Sequence, residues 1–153
     1  MTFFIFIFEV NILKLMFTMK RVFQNILAII IGVFIGGVTN MFIVSNSSKI
    51  VSLPDGVIPG DMESLTSNIH LFEPVNFLMP FLAHSIGTLI GSFLASKIAV
   101  SHKFKFSIVI GVFFLIGGIQ MSSILDSPLW FDIVDIFLAY IPMSIIGYKL
   151  AVK

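Results

Sequence analysis

Four long apolar stretches, separated by more polar segments, run along the chain. The first stretch, at 22–44, contains no charged residue. As an α-helix its 23 residues would extend about 35 Å, which covers the roughly 30 Å hydrocarbon core of a bilayer. The other stretches lie at about 74–99, 106–125 and 128–150. The pattern predicts an all-α, polytopic membrane protein with four transmembrane helices, formed as a single domain over 19–153.

The composition indicates that lipid is the solvent of most of the surface. Hydrophobic residues make up 58% of the 153 residues and charged residues 11%, against roughly 45–50% and 25% in soluble domains. A net charge of +1 without a basic patch argues against nucleic acid as a partner, and the absence of cysteine excludes disulfides and thiolate chemistry. The sequence contains no phosphate-binding loop and no metalloprotease or hydrolase motif. We therefore expect no cofactor and no metal.

The charged residues predict the orientation in the membrane. Seven basic residues lie at the N-terminus, in the connection between the second and third spans, and at the C-terminus: Lys20, Arg21, Lys97, Lys103, Lys105, Lys149 and Lys153. Six acidic residues lie in or beside the other two connections: Asp55, Asp61, Glu63, Glu73, Asp126 and Asp132. Because basic residues mark the cytoplasmic side, we expect both termini in the cytoplasm of a cell whose inner, or plasma, membrane holds the protein.

Residues 1–18 fit this scheme less well than the rest of the chain. Glu9, Asn11 and Lys14 interrupt their apolar run, and a stretch of about 15 residues is too short to form a spanning helix. The segment also lacks the basic start and the cleavage site of a signal peptide. We interpret it as an N-terminal extension from a mis-assigned start, with the natural start at Met19. The alternative is a helix that lies in the membrane interface.

The second and fourth spans share a pattern that indicates an internal repeat. They align without a gap, so that 81–84 lies over 137–140, His84 over Tyr140 and Gly91 over Gly147. The first and third spans agree over a shorter stretch. Two copies of two spans keep the same orientation, so the repeat predicts a 2+2 arrangement of parallel hairpins about an axis along the membrane normal.

Small residues form one face on each of the first two spans. They are Gly32 and Gly36 on the first span, and Gly87, Gly91 and Ala95 on the second. Such faces let helix backbones approach closely, so we interpret them as packing surfaces for another helix of this chain or of another subunit. The alternative is that glycine is simply frequent in membrane helices.

Several polar residues are expected at membrane depth. His84 lies ten residues after the start of the second span, about 15 Å deep. Asp135 on the fourth span would be about 10 Å deep, and Asp132 nearer the interface. We predict that His84 and Asp135 approach each other as a hydrated pair open to the outer face, with Asp132, Glu73 and Tyr140 as further candidates for a ligand or proton pathway. A dry, structural histidine is the alternative.

Four other polar residues are candidates for metal binding or for hydrogen bonds between helices. His70 and Glu73 supply residue types that bind metals, but a loop histidine and a helix cap explain them as well. Asn40 and Gln120 lie near the outer ends of the first and third spans. We expect them to form hydrogen bonds between helices.

Several motifs together resemble a known group of proteins. They are His70-Leu71-Phe72-Glu73-Pro74, Pro80-Phe81-Leu82-Ala83-His84, Gly87-Thr88-Leu89-Ile90-Gly91, Pro128-Leu129-Trp130-Phe131-Asp132 and Ala139-Tyr140-Ile141-Pro142-Met143. With these motifs, most of residues 20–150 is similar to small bacterial four-helix membrane proteins of unknown activity. The resemblance implies a bacterial inner-membrane location and no particular functional residue.

Three functions are compatible with these patterns. The first is a transport or permeation component, which would be a homo-oligomer or part of a larger complex because four spans barely enclose a pathway. The second is a structural or accessory subunit whose glycine faces dock a membrane partner. The third is a membrane enzyme that uses His84 with Asp135 or Glu73, which we rank last.

Overall fold

The computed structural model describes residues 2–153, with side chains from residue 11 onward, and that part of the chain is helical without strands. The helices are α1 (Thr2–Ser45), α2 (Met62–Asn68), α3 (Leu78–Ile98), α4 (Lys103–Leu125), α5 (Leu129–Leu138) and α6 (Ile141–Val152). A 3-10 turn at Pro74–Phe77 leads into α3. Four helical segments are long and apolar enough to cross a membrane: α1, α3 with its 3-10 turn, α4, and α5 together with α6. The chain is a multi-pass membrane protein.

Helix α1 is longer than the first span that the sequence predicts. It continues through 2–18 without a break, so the residues set apart as an N-terminal extension belong to the same helix. The helix is tied to the bundle at Asn25, whose side-chain amide donates to Ser101 Oγ (2.9 Å) and whose carbonyl oxygen accepts from the Val100 backbone N–H (3.1 Å). Before this point, residues 11–23 are exposed.

Glycines bring α1 and α3 into close contact. A Cβ atom on Gly32 would lie 2.7 Å from the carbonyl oxygen of Gly91, and one on Gly36 would lie 2.7 Å from that of Gly87. Ala95 also faces Gly32, with 3.0 Å between the Ala95 Cβ and the Cβ that a side chain at Gly32 would add. The two small faces therefore pack against each other within one chain, and the four glycines of this contact approach at a distance that leaves no room for a Cβ.

Small residues also join α3, α4 and α6. A Cβ on Gly147 of α6 would lie 2.6 Å from the carbonyl oxygen of Leu89 on α3. Ser92 of α3 donates to the backbone carbonyl of Ser107 on α4 (3.3 Å), and Ser107 Oγ donates to that of Ser144 on α6. All three serines are fully buried. The contacts between α3, α4 and α6 are thus rich in small and hydroxyl-bearing residues, while most large apolar side chains lie on the outer surface of the bundle.

The two ends of the bundle differ. At one end, here called the basic end, the α3–α4 connection at 99–102 lies beside Asn25 of α1, and Lys97 Nζ donates to the Ala151 carbonyl near the end of α6 (3.4 Å). At the other end, the loop end, the connection 46–73 joins α1 to α3. Asp61 begins α2 in this connection, because its side chain accepts from the backbone N–H of the third residue after it (2.8 Å).

The fourth span is broken, and the sequence-based expectation of one helix over 128–150 is wrong on this point. Helix α5 ends at Leu138, Ala139 and Tyr140 form a turn, and α6 begins at Ile141. Pro142 explains the break because it has no N–H to donate to the Leu138 carbonyl, and because its ring would clash with that carbonyl in an unbroken helix. The break lies near the middle of the span.

Candidate functional site

The break in the fourth span brings three polar side chains together. His84 Nδ1 of α3 lies 3.0 Å from Asp135 Oδ1 and 2.9 Å from Asp135 Oδ2, near the end of α5. The hydroxyl of Tyr140, in the turn between α5 and α6, donates to Asp135 Oδ2 (2.6 Å) and lies 2.9 Å from His84 Nδ1. We call these three residues the triad.

The distances assign the hydrogen-bond roles within the triad. Because Nδ1 of His84 faces both oxygens of the Asp135 carboxylate, this nitrogen carries a hydrogen and donates it. A carboxylate at Nδ1 fixes the tautomer of the ring. Nε2 of His84 is therefore the nitrogen left to interact with a ligand.

The triad is almost fully removed from the surface. The side chain of Asp135 is 6% exposed, that of His84 is 17% exposed, and Tyr140 is 1% exposed. The rings of His84 and Tyr140 stack, with their centroids 5.7 Å apart. His84 lies about 15 Å along the second span, so the carboxylate is held well inside the membrane-spanning part of the bundle. A charge at this depth is costly unless it is paired, and His84 can supply that pair.

Gly118 of α4 makes room for the Tyr140 hydroxyl. A Cβ on Gly118 would overlap this hydroxyl, whereas a Cβ on the neighbouring Gly117 would meet no atom within 4 Å. The absence of a side chain at Gly118 thus allows Tyr140 to reach Asp135. The two glycines have the same residue type but different surroundings, so they provide a matched pair for substitution.

A cavity of about 230 Å³ lies beside the triad. Its walls come from α1, α3, α4 and the turn before α6: Asn40, His84, Thr88, Phe114, Gly117, Gly118, Met121 and Tyr140. Two polar atoms among these residues, Asn40 Oδ1 and Thr88 Oγ1, are buried without a hydrogen-bond partner in the described part of the chain. Thr88 as a whole is fully buried. Buried polar groups normally have partners, so these two atoms indicate a place where a ligand or water binds.

The other predicted site residues lie apart from the triad. Asp132 comes one turn before Asp135, and its Oδ1 is buried without a partner in the part of the chain that the structure describes. Glu73 is exposed at the start of the 3-10 turn, where its backbone N–H donates to Asn76 Oδ1 (2.8 Å). Since it lies eleven residues before His84, about 16 Å along a helix axis, Glu73 does not join the site.

The described residues contain no group of three or more side chains suited to a metal ion. His84 and Asp135 are the predicted ligand types that come together, and His70 is exposed in the connection 46–73. Two protein ligands are fewer than the three that a catalytic zinc site uses. The arrangement is thus suited to hydrogen bonding and proton exchange.

The structure also corrects one sequence-based expectation and adds two residues. Asn40 was expected to bond across helices, but its carbonyl oxygen is unpartnered, and Gln120 is exposed. Thr88 and Gly118 were missed as parts of the site. The position of Thr88, four residues after His84 and hence on the same helix face, could have indicated it. Nothing in the sequence indicates that Gly118 contacts the fourth span.

Comparison of the chain with protein families, with curated proteins and with solved structures finds no match. The resemblance to small bacterial four-helix membrane proteins therefore stays a prediction from the sequence motifs. The chemistry of the site has to be argued from the triad and the cavity themselves.

Proposed function

We propose that this protein is a small transport or permeation component whose pathway passes through the cavity beside the triad. The observation that carries the proposal is the hydrogen-bonded group of His84, Asp135 and Tyr140 next to a cavity that holds two unpartnered polar atoms. Ionisable residues inside a membrane domain are rare, and they commonly mark substrate or proton pathways.

The unpartnered atoms favour a wet site over a dry, structural histidine. Leaving a buried polar group without a partner costs about 1–3 kcal/mol. Asn40 Oδ1 and Thr88 Oγ1 would both incur this cost in an empty, dry cavity, whereas water or a passing solute would remove it. The triad alone is compatible with a structural role, but the cavity beside it provides space for water or a solute that the triad can contact.

A row of polar residues on α3 supports a route from the cavity to the basic end. His84, Thr88, Ser92 and Ser96 follow one another at steps of four residues, so each lies on the same helix face as the next and the row winds gradually around the helix. The three hydroxyl-bearing residues are fully buried. In the other direction, Asn40 and Met121 extend the cavity lining towards the loop end, which supports an opening there.

The same proposal includes the membrane and the arrangement of the chain in it. The basic residues favour an orientation with the basic end and both termini in the cytoplasm. The resemblance of the sequence motifs to bacterial membrane proteins favours the inner membrane of a bacterium. The likeness of the second and fourth spans favours a 2+2 repeat of parallel hairpins. Four spans leave little room for a complete pathway, which favours a homo-oligomer or a larger membrane partner.

The absence of cysteine in the chain allows a direct test of water access. We would place the single cysteine Thr88→Cys in the cavity wall and Ile116→Cys, 54% exposed on the lipid side of α4, as the control. Membrane-impermeant methanethiosulfonate reagents would then be added to right-side-out and to inverted vesicles. A lipid-facing thiol reacts slowly because it stays protonated, so the control defines the background.

A permeation component predicts that the cysteine at 88 reacts at least about tenfold faster than the control from each side of the membrane. Reaction no faster than the control from both sides would contradict the proposal and favour an accessory subunit. Reaction from one side alone would also contradict it, because the cavity would then be a blind pocket.

A further inference from the structure

We propose that the cavity binds a small organic ammonium ion, a primary amine with a short apolar tail, in exchange for a proton on His84. This inference rests on the proposed permeation function and names its substrate class. Three features carry it: the acceptor atoms around the cavity, the charge of the triad, and the apolar part of the cavity wall.

The cavity lining offers several hydrogen-bond acceptors. Asn40 Oδ1 accepts only, and Thr88 Oγ1 both accepts and donates. His84 Nε2 presents a lone pair when the ring is neutral, since Nδ1 is occupied by Asp135. A primary ammonium carries three N–H donors and no acceptor, which matches three acceptors around one cavity. The cavity walls include no lysine, arginine or carboxylate side chain among the described residues.

The charge of the triad requires one positive charge in or beside the cavity. The Asp135 carboxylate is buried at membrane depth, and an unneutralised charge there is costly. In the proposed exchange, an imidazolium at His84, whose Nδ1 lies 2.9 Å from Asp135 Oδ2, balances this charge in the empty protein. When an ammonium ion enters, it supplies the positive charge, and the His84 Nε2 proton passes to water in the cavity. Each ammonium bound therefore releases one proton, and the net charge of the site stays constant.

The titratable groups around His84 are few. Asp135 faces it from α5 and Tyr140 from the turn before α6. The cavity residues contributed by α1 and α4 do not titrate: they are Asn40, Phe114, Gly117, Gly118 and Met121. The exchange of charge is thus confined to His84 and Asp135.

The rest of the wall suits an apolar tail of limited size. Phe114 and Met121 line it, and an aromatic ring face also attracts an ammonium ion. A cavity of about 150 Å³ can hold benzene, so one of about 230 Å³ accommodates a molecule the size of benzylammonium. We use benzylammonium as the probe for this reason.

The test is calorimetric titration of the purified full-length protein in detergent at pH 7, with three probes of similar size. Benzylammonium has the charge and the donors, benzyltrimethylammonium has the charge without N–H donors, and benzyl alcohol is neutral. We expect saturable binding of benzylammonium, at least about tenfold tighter than either analogue, because hydrogen bonds to charged groups are strong. Equal binding of benzyl alcohol, or no saturable binding of benzylammonium, would overturn the proposal.

Proton release is read from the same titrations repeated in buffers of different ionisation enthalpy. Wild type should release about one proton per bound amine, and Asp135→Asn, which has no carboxylate for a proton on His84 to balance, should release none. Unchanged release in Asp135→Asn would show that the proton comes from elsewhere and would overturn the exchange.

The substitution Thr88→Val tests whether the Thr88 hydroxyl binds the ligand or stabilises the fold. Valine has the shape of threonine without the hydroxyl, and Thr88 Oγ1 has no partner to lose. The variant should therefore unfold no more easily than wild type, yet bind benzylammonium about tenfold more weakly. Unchanged affinity would show that Thr88 does not contact the amine and would contradict the proposed set of acceptors.

The two proposals can fail separately. If the cysteine at 88 is accessible from both sides but benzylammonium does not bind, the ligand class is wrong while the permeation function still holds.

Discussion

Substitution of Gly118 by alanine tests how the bundle positions the triad. The added Cβ would overlap the Tyr140 hydroxyl, and ordinary van der Waals contacts begin near 3.4 Å, so the tyrosine has to move. A displacement of about 1 Å stretches the 2.6 Å bond from Tyr140 Oη to Asp135 Oδ2 out of hydrogen-bond range. The substitution on α4 should therefore damage a contact between two residues of the fourth span.

The expected loss of stability is the sum of two effects. A hydrogen bond to a charged group contributes about 1.5–3 kcal/mol. Forcing an extra methyl group into a packed interior costs about 1–3 kcal/mol. Gly118→Ala should therefore lower the free energy of unfolding by about 2.5–6 kcal/mol. Equilibrium unfolding of the purified protein in mixed micelles measures it. Gly117→Ala is the control, expected to change stability by less than about 0.5 kcal/mol because its Cβ meets nothing.

A double-mutant cycle with Tyr140→Phe tests the assigned cause. Each single substitution removes the same hydrogen bond to Asp135, so the double variant loses it only once. The double variant should therefore be more stable than the sum of the single losses implies, by at least about 1.5 kcal/mol. Losses that add within about 0.5 kcal/mol, or a Gly117→Ala variant as unstable as Gly118→Ala, would refute the reasoning.

Three further predictions follow from the fold. Gly36→Ala should destabilise the bundle by about 1–3 kcal/mol because its Cβ would lie 2.7 Å from the Gly87 carbonyl oxygen, whereas Gly37→Ala, which meets no atom within 4 Å, should not; unfolding of the two variants side by side decides. Pro142→Ala restores the missing N–H and lets the fourth span close into one helix, so a subsequent Tyr140→Phe should cost less than about 0.5 kcal/mol instead of the 1.5 kcal/mol or more expected in wild type. Reporter fusions after Lys153 and within 56–68 should report opposite sides of the membrane, and agreement between them would contradict the four-span arrangement.

The number of spans could be predicted because it depends only on how apolar and polar residues are distributed along the chain. Each apolar stretch is long enough to cross a bilayer, and charged or turn-forming residues separate the stretches. The residues at which the helices begin and end are harder to predict from the sequence. Helix α4 begins at Lys103, three residues before the predicted start at 106, because lysines at a helix end can extend their charged groups to the interface.

The site could be predicted only in part. Depth counting placed His84 and Asp135 at similar levels, since the rise of a helix is regular. Which helix faces contact one another depends on how the helices pack. Each span of this chain carries apolar residues on all sides, so the periodicity of the sequence says little about which face points inward. The places of Gly118 beside Tyr140 and of Asn40 in the cavity wall could not be predicted for this reason, because both depend on residues of other helices.

The break at Ala139 and Tyr140 allows residues at a similar depth to come together as one site. In an unbroken helix, residues five positions apart differ by about 140° around the axis, so Asp135 and Tyr140 would face nearly opposite directions. In the structure both contact the same nitrogen of His84, and they are hydrogen-bonded to each other. Only an interruption between them allows this, and Pro142 supplies its cause. The aligned position on α3 is His84 itself, in a continuous helix. The two halves of the chain therefore differ most where the polar chemistry lies, which is why their sequence similarity could suggest a common arrangement but not the triad.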